Sequence, residues 1–128
     1  MKGEMIVIYL AGALRGKNKQ EKKRNMRRAK RWAERLWRMG FAVYSPHLNS
    51  GWLDTPETDP HVIPANIQLM LMCDITVVMP NWENSTGTKE EIKQCGLKKQ
   101  PVYYLKDKRM PDLVIKNAII ELVRDTLC

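Results

Sequence analysis

The stretch whose reading decides the fold is "DITVVMPNWENSTGTKEEI", residues 74–92. Ile75–Met79 is an apolar segment and reads as a strand. Pro80 breaks it. A polar segment with one glycine follows, and from Lys89 to Lys99 the spacing predicts a helix. The same grammar recurs outward along the chain. Upstream, "MIVIYLAGALRG" (5–16) opens on Met5–Ala11, the continuous β-branched and apolar run of a strand covered on both faces, closed by a turn with two glycines. From Lys19 to Met39 the apolar positions Met26, Ala29, Trp32, Ala33, Leu36 and Trp37 recur at three and four, predicting an amphipathic helix stopped by Gly40.

"FAVYSP" (41–46) is a second strand, closed by Pro46. The segment holding Pro46, Gly51, Pro56, Pro60 and Pro64 reads as a long loop, functional or mobile. Ile67–Cys73 reads as a short helix and "PVYYL" (101–105) as a fourth strand. Pro111–Leu127 is a final helix with Leu113, Ile115, Ala118, Ile119, Leu122 and Val123 toward the core. Alternating strands and helices predict right-handed crossovers, hence one α/β domain over residues 1–128. Its expected form is a three-layer α/β/α sandwich with a parallel, flavodoxin- or Rossmann-like sheet of four to five strands. In such sheets ligands bind beyond the carboxyl ends of the strands, where the strand order reverses. That rule brings together "AGALRG", "SPHLN" and "PNWENSTG".

The formal net charge is +8, but residues 15–38 hold twelve of the 22 Lys/Arg against two acids, so the remainder is slightly acidic. The basicity belongs to one helix. Its tryptophans fall on the apolar side, as core or interface residues, so nucleic acid is not the expected partner. Three cysteines without C-x-x-C spacing argue against a zinc site or a disulfide framework and for a reducing, cytoplasmic setting. Met5–Leu14 is too short to span a bilayer, so no membrane association is expected.

Two adjacent acids, Glu90 and Glu91, open the helix after the third strand. Thr88-x-x-Glu91 fits a capping box, in which Glu91 bonds the amide of its own cap. The helical period separates the pair. Glu91 shares a face with Ile92 and Cys95, which pack on the sheet, whereas Glu90 aligns with Gln94 and Lys98 on a solvated face. Glu91 is therefore expected at the inner edge of the first turn. Before it, Ser85, Thr86, Gly87 and Thr88 offer amides and hydroxyls at a helix N-terminus, where anions are favoured. Gly12, Arg15 and Gly16 form the facing turn, with a guanidinium suited to phosphate. Together they suggest a phosphorylated ligand with a carboxylate in reach.

These residues carry a resemblance. "YLAG" with "ALRG", then "CDITVVMPNWENSTGTKEE", resembles the nucleoside 2-deoxyribosyltransferase-like superfamily over roughly residues 5–105. That superfamily includes nucleoside 5′-monophosphate N-glycosidases and an often phage-borne branch. The G-x-x-R-G turn and the S-x-G-x-x-x-E run are its most specific parts. The resemblance makes Glu91 the nucleophile of N-glycosidic bond cleavage through a covalent glycosyl intermediate, resolved by water or an acceptor base. It makes Gly12, Arg15, Gly16, Ser85, Gly87 and Thr88 phosphate or sugar contacts, and Tyr9 a hydroxyl beside the nucleophile, although a core tyrosine reads equally well. His47 is a possible base contact or a solvated loop histidine, and Trp82 a base-stacking ring or a cap on the core edge. Where the superfamily usually has a catalytic aspartate, this chain has Asn66, which holds a hydroxyl but cannot supply a proton as a carboxylic acid does. Leaving-group protonation then falls to Asp54, Asp59, Glu83 or His47, or turnover is slow, or the chain binds nucleotides without cleaving them. The implied partner is a small nucleoside or nucleotide, with no cofactor or metal, in a homodimer or higher homo-oligomer.

Overall fold

The first strand forms because five consecutive residues are apolar or aromatic and both faces find a cover. In the computed structural model, which describes residues 5–53 and 55–127, β1 spans Val7–Ala11. Alternation sends Ile8 and Leu10 to one side and Tyr9 and Ala11 to the other, all without exposed surface. On the first side they meet Ala29, Trp32, Ala33 and Leu36 of α1 (Lys19–Arg38) and Ile115, Ile119 and Val123 of α5 (Asp112–Leu127). On the second they meet Met70 of α3 (Asp59–Leu71) and Cys95 of α4 (Thr86–Leu97). Burying one such aliphatic side chain is worth about 1.5–3 kcal/mol, so the sheet is held from both faces.

Among the described residues the sheet has four parallel strands in the order β2-β1-β3-β4, where β2 is Ala42–Tyr44, β3 Ile75–Val78 and β4 Val102–Tyr104. The expected three-layer α/β/α architecture is present. The chain moves outward from β1 to β2, then crosses back to place β3 on the other side of β1, so the order reverses between β1 and β3. The register Tyr9↔Thr76 and Ala11↔Val78 brings both strands to the same carboxyl edge.

Helix α1 begins where Gly16, at φ +67°, turns the chain and the Asn18 side chain accepts the Glu21 amide at 2.9 Å. It ends at Gly40, at φ +101°. One reading of α5 needs correction: Leu113 is 67% exposed and does not belong to the core; Trp37 of α1, at 54%, also lies outside it, which leaves the interface alternative for that tryptophan.

The proline-rich segment is not a long loop. Ser45 caps a short helix, α2 (Pro46–Ser50), followed by a 3₁₀ turn, Gly51–Leu53. Helix α3 then starts at Asp59, well before the expected Ile67. Pro60 sits where an amide would have no intrahelical acceptor, whereas Pro64 lies inside the helix and gives up the bond to the Pro60 carbonyl, a cost that the rest of α3 carries. Helix α4 likewise begins earlier than expected, at Thr86, because Ser85 rather than Thr88 is its cap. Among the described residues no helix is long and apolar enough to cross a membrane.

Candidate active site

A cleft of about 760 Å³ opens at the carboxyl edge of the sheet, over the reversal point between β1 and β3. Three segments line it: the β1–α1 turn with Gly12, Arg15 and Gly16, the α2–α3 region with His47 and Asn66, and the start of α4 with Ser85, Gly87, Thr88 and Glu91. Of the residues singled out from the sequence, these nine border one cavity, and Asp59 and Thr86 line it as well. Tyr9 lies beneath it, fully buried. Trp82 is not among the lining residues. Its ring packs on Tyr104, with centroids 5.3 Å apart, as part of the hydrophobic layer on the α3–α4 side.

Glu91 reaches the cleft floor because α4 is anchored one turn later. Cys95 contacts the Thr76 hydroxyl at 3.3 Å, and Thr76 is the register partner of Tyr9 on the neighbouring strand. One turn toward the carboxyl edge from Cys95, the Glu91 carboxylate therefore falls over Tyr9, whose hydroxyl donates to Oε2 at 2.5 Å. Glu91 does not close a capping box. The Thr88 amide and hydroxyl both bond the Ser85 Oγ, at 3.1 and 2.9 Å, and Thr88 is buried inside the first turn. Glu90 is exposed and accepts from Gln94 at 2.8 Å, as the helical period requires.

Burial disfavours the charged form of Glu91 and raises its carboxyl to about 7, with the Tyr9 hydrogen bond acting in the opposite sense. The Tyr9 phenol is driven far above its ordinary value by burial and by the Glu91 charge, so it is a permanent donor. The carboxylate is thus oriented and partly desolvated, the condition of a group tuned for chemistry near neutral pH.

Around it the cleft is built from fixed polar groups. Tyr44 stacks on Tyr9 at 5.8 Å, accepts from Asn49 at 2.7 Å and lies 3.5 Å from the Asn66 Oδ1. His47 is buried, and its Nε2 lies 2.9 Å from the Ala13 carbonyl, which ties α2 to the β1–α1 turn. This corrects the solvated-histidine alternative. Arg15 spans to Asp59 at 2.5 Å, joining the glycine turn to the first turn of α3. Of the acids considered for leaving-group protonation, Asp59 is in this ion pair, Glu83 is exposed and does not line the cleft, and Asp54 lies outside the described residues.

Gly12 has a packing reason to be glycine, since a Cβ there would approach Met79 Cε to 2.7 Å. Gly87 faces open space, its built Cβ meeting nothing nearer than Ser85 Oγ at 4.0 Å, so the amides at the start of α4 remain approachable.

Sequence reasoning missed several lining residues, among them Asn25, Arg28, Asn81 and Asn84. Asn25 is 3% exposed; its Nδ2 donates to the Leu14 carbonyl at 2.9 Å and its Oδ1 accepts from Arg28 at 2.8 Å. The signal was present: Asn25 continues the buried stripe of Ala29, Trp32, Ala33 and Leu36, and a polar residue in that row needs a partner. Asn81 adopts φ +77°, a conformation asparagine tolerates better than most residues.

The four-stranded parallel α/β fold itself has known counterparts. Two solved structures are similar. One is the 2-deoxyribosyltransferase of the psychrotolerant bacterium Bacillus psychrosaccharolyticus, at 22% identity and TM-score 0.57, covering 85% of this chain and 79% of that one. The other is described as the solution structure of BlsM, at 19% identity and TM-score 0.60, covering 96% and 92%. At such identities the likeness concerns the fold. The chain itself belongs to the family described as "Domain of unknown function (DUF4406)", matched over residues 6–104. Comparison with curated proteins gives no match.

Proposed function

We propose that this protein cleaves the N-glycosidic bond of a nucleoside 5′-monophosphate or nucleoside, with Glu91 as nucleophile. The observation that carries the reading is the Glu91 carboxylate on the cleft floor, its Oε2 held by Tyr9 at 2.5 Å. With one oxygen fixed, the other attacks the anomeric carbon while the bond to the base breaks through an oxocarbenium-like state. Water then opens the glycosyl ester, or an acceptor base does. The sugar phosphate is met by the amides at the start of α4 and by the Arg15 turn. Tyr9 stabilises Glu91 as carboxylate before attack and as leaving group afterward. Asn66 holds the sugar or base by hydrogen bonds, and the proton needed by the departing base comes from water.

The test is incubation with a panel of nucleosides and 5′-monophosphates, followed by chromatography for free base. Base release is expected, with Glu91→Gln reducing it by at least about 10³-fold and Glu90→Ala leaving it within about twofold. Mass spectrometry of the quenched reaction should find one glycosyl adduct on the peptide containing Glu91. The opposite ranking of the two variants would reject the assignment. A second reading, a nucleotide-binding module without catalysis, is favoured by the amide at Asn66; saturable binding with no base released from any substrate would support it.

A further inference from the structure

A second, smaller cavity of about 380 Å³ lies beside the cleft on the same edge of the sheet, lined by Arg28, Arg31, Trp32, Arg35, Pro80, Lys106, Asp107 and Lys108. Arg28 borders both cavities. The route between them follows one row of α1, since Arg24 lines the main cleft, Arg28 both, and Arg31 and Arg35 the annex. Their spacing of four, three and four residues places them on one helix face, and Arg24 to Arg31 spans about 10 Å of axis.

The annex is basic in a way that local pairing does not cancel. Arg35 is engaged: it bonds Asp112 at 2.5 Å, reaches the carbonyls of Lys108 and Met110, and covers the Trp32 ring at 4.4 Å. It forms a wall. Asp107 lies 3.8 Å from Arg109 and accepts its amide at 2.7 Å. That leaves Arg28, Arg31, Lys106 and Lys108 facing Asp107 as the one carboxylate of the lining.

Arg28 is also the group through which the annex meets the glycine turn. Asn25 bridges the Leu14 carbonyl of that turn to the Arg28 guanidinium, fixing Arg28 at the boundary. A 5′-phosphate at the turn therefore has Arg28 next to it, and any further phosphate extending from it passes Arg28 into the annex.

We propose that the annex binds the distal phosphates of a nucleoside 5′-di- or triphosphate whose first phosphate sits at the Gly12–Gly16 turn. The substrate class is thus a nucleoside polyphosphate, with the monophosphate a truncated ligand. This rests on the reading of the main cleft as a nucleotide site, but the annex makes a claim that holds without catalysis.

Two measurements separate the claims. The first is calorimetric titration at 150 mM salt with inorganic tripolyphosphate and with inorganic phosphate, on the wild type, on Arg31→Ala/Lys106→Ala, and on Lys93→Ala/Lys98→Ala as a charge-matched control on α4. Tripolyphosphate is expected to bind at least tenfold more tightly than phosphate, with that preference falling below threefold in Arg31→Ala/Lys106→Ala and persisting in the control. The second compares kcat/KM for base release from mono-, di- and triphosphates of one nucleoside, where the same variant should erase an advantage of at least tenfold. Equal binding of both anions by the wild type, or a preference surviving in the annex variant, overturns the proposal. Tripolyphosphate preference without base release from any nucleotide upholds the annex and rejects catalysis; base release with no polyphosphate preference does the reverse.

Discussion

A carboxylate held in a desolvated cleft weakens the fold that holds it, and Glu91→Gln measures by how much. Glu91 is raised from an ordinary 4.5 to about 7 in the folded protein, chiefly by burial. Because the folded state holds the proton more tightly, stability is undiminished below pH 4.5 and falls as pH rises toward 7. Each pH unit in that interval is worth about 1.4 kcal/mol, so the ionised side chain costs the fold at most about 3 kcal/mol at pH 8. Gln has the same shape, stays neutral and still accepts from Tyr9. The variant should therefore match the wild type at pH 4.5 and exceed it at pH 8 by up to about 3 kcal/mol, or about 10 °C in Tm for a chain of this length. Urea unfolding of both proteins at the two pH values is the assay, and taking the difference between proteins cancels the other titrating groups. An offset that is the same at both pH values, or a variant less stable at pH 8, would refute the reasoning and place Glu91 in a well-solvated environment.

Three further outcomes follow from single contacts. Tyr9→Phe removes the hydroxyl that lowers the Glu91 carboxyl, so the rising limb of the kcat/KM profile should move to higher pH; a hydrogen bond to a charged group is worth about 1.5–3 kcal/mol, so the rate at pH 7 should fall at least about tenfold. An unmoved midpoint would detach Tyr9 from catalysis. Asn66→Asp places a proton-donating group on the cleft wall near Tyr44, and base release below pH 7 should rise about tenfold or more if protonation of the base is limiting; no rise would show that it is not. Gly16→Ala forces a left-handed conformation on a residue with a Cβ and brings that atom to 2.5 Å from Glu21 Cγ, so the urea midpoint should drop by the equivalent of about 1–2 kcal/mol. A wild-type midpoint would mean the turn relaxes freely.

How far the sequence foretold this arrangement can be argued from particular residues. The layers were legible because Ile8/Leu10 and Tyr9/Ala11 obey the strand period and Ala29, Trp32 and Leu36 the helical one, and both periods are geometric. The inward aim of Glu91 followed from its helical phase with Cys95. The helix limits did not follow as well. Ser85 and Thr88 are both acceptable caps, and the choice fell to Ser85 because the 3₁₀ turn Trp82–Asn84 delivers the chain to it in extended form. Prolines at 60 and 64 read as breakers, yet Pro60 falls in the first turn, where its missing amide has no acceptor, and Pro64 gives up one internal bond that α3 tolerates. Whether Trp37 joins the core or an interface was not legible, because an apolar stripe fixes a face about 100° wide and not which flank the sheet covers.

What no local pattern contains is the convergence itself. Tyr9 and Glu91 are 82 residues apart, and their 2.5 Å contact depends on the β1–β3 register and on the Cys95–Thr76 anchor beneath α4. The two dependencies are of one kind: a one-residue slip of β1 against β3 would turn Tyr9 to the α1 side and leave the carboxylate facing Leu10 or Ile8. The packing that excludes such a slip is the apolar burial on both faces, so the positioning of Glu91 is fixed by the core and not by contacts within the cleft. It follows that Thr76→Val, which keeps the shape and removes the hydroxyl that Cys95 touches, should loosen α4 and reduce base release with little effect on substrate binding. A fall in affinity at unchanged kcat would instead assign Thr76 and Cys95 to the architecture of the cleft wall rather than to the aim of Glu91.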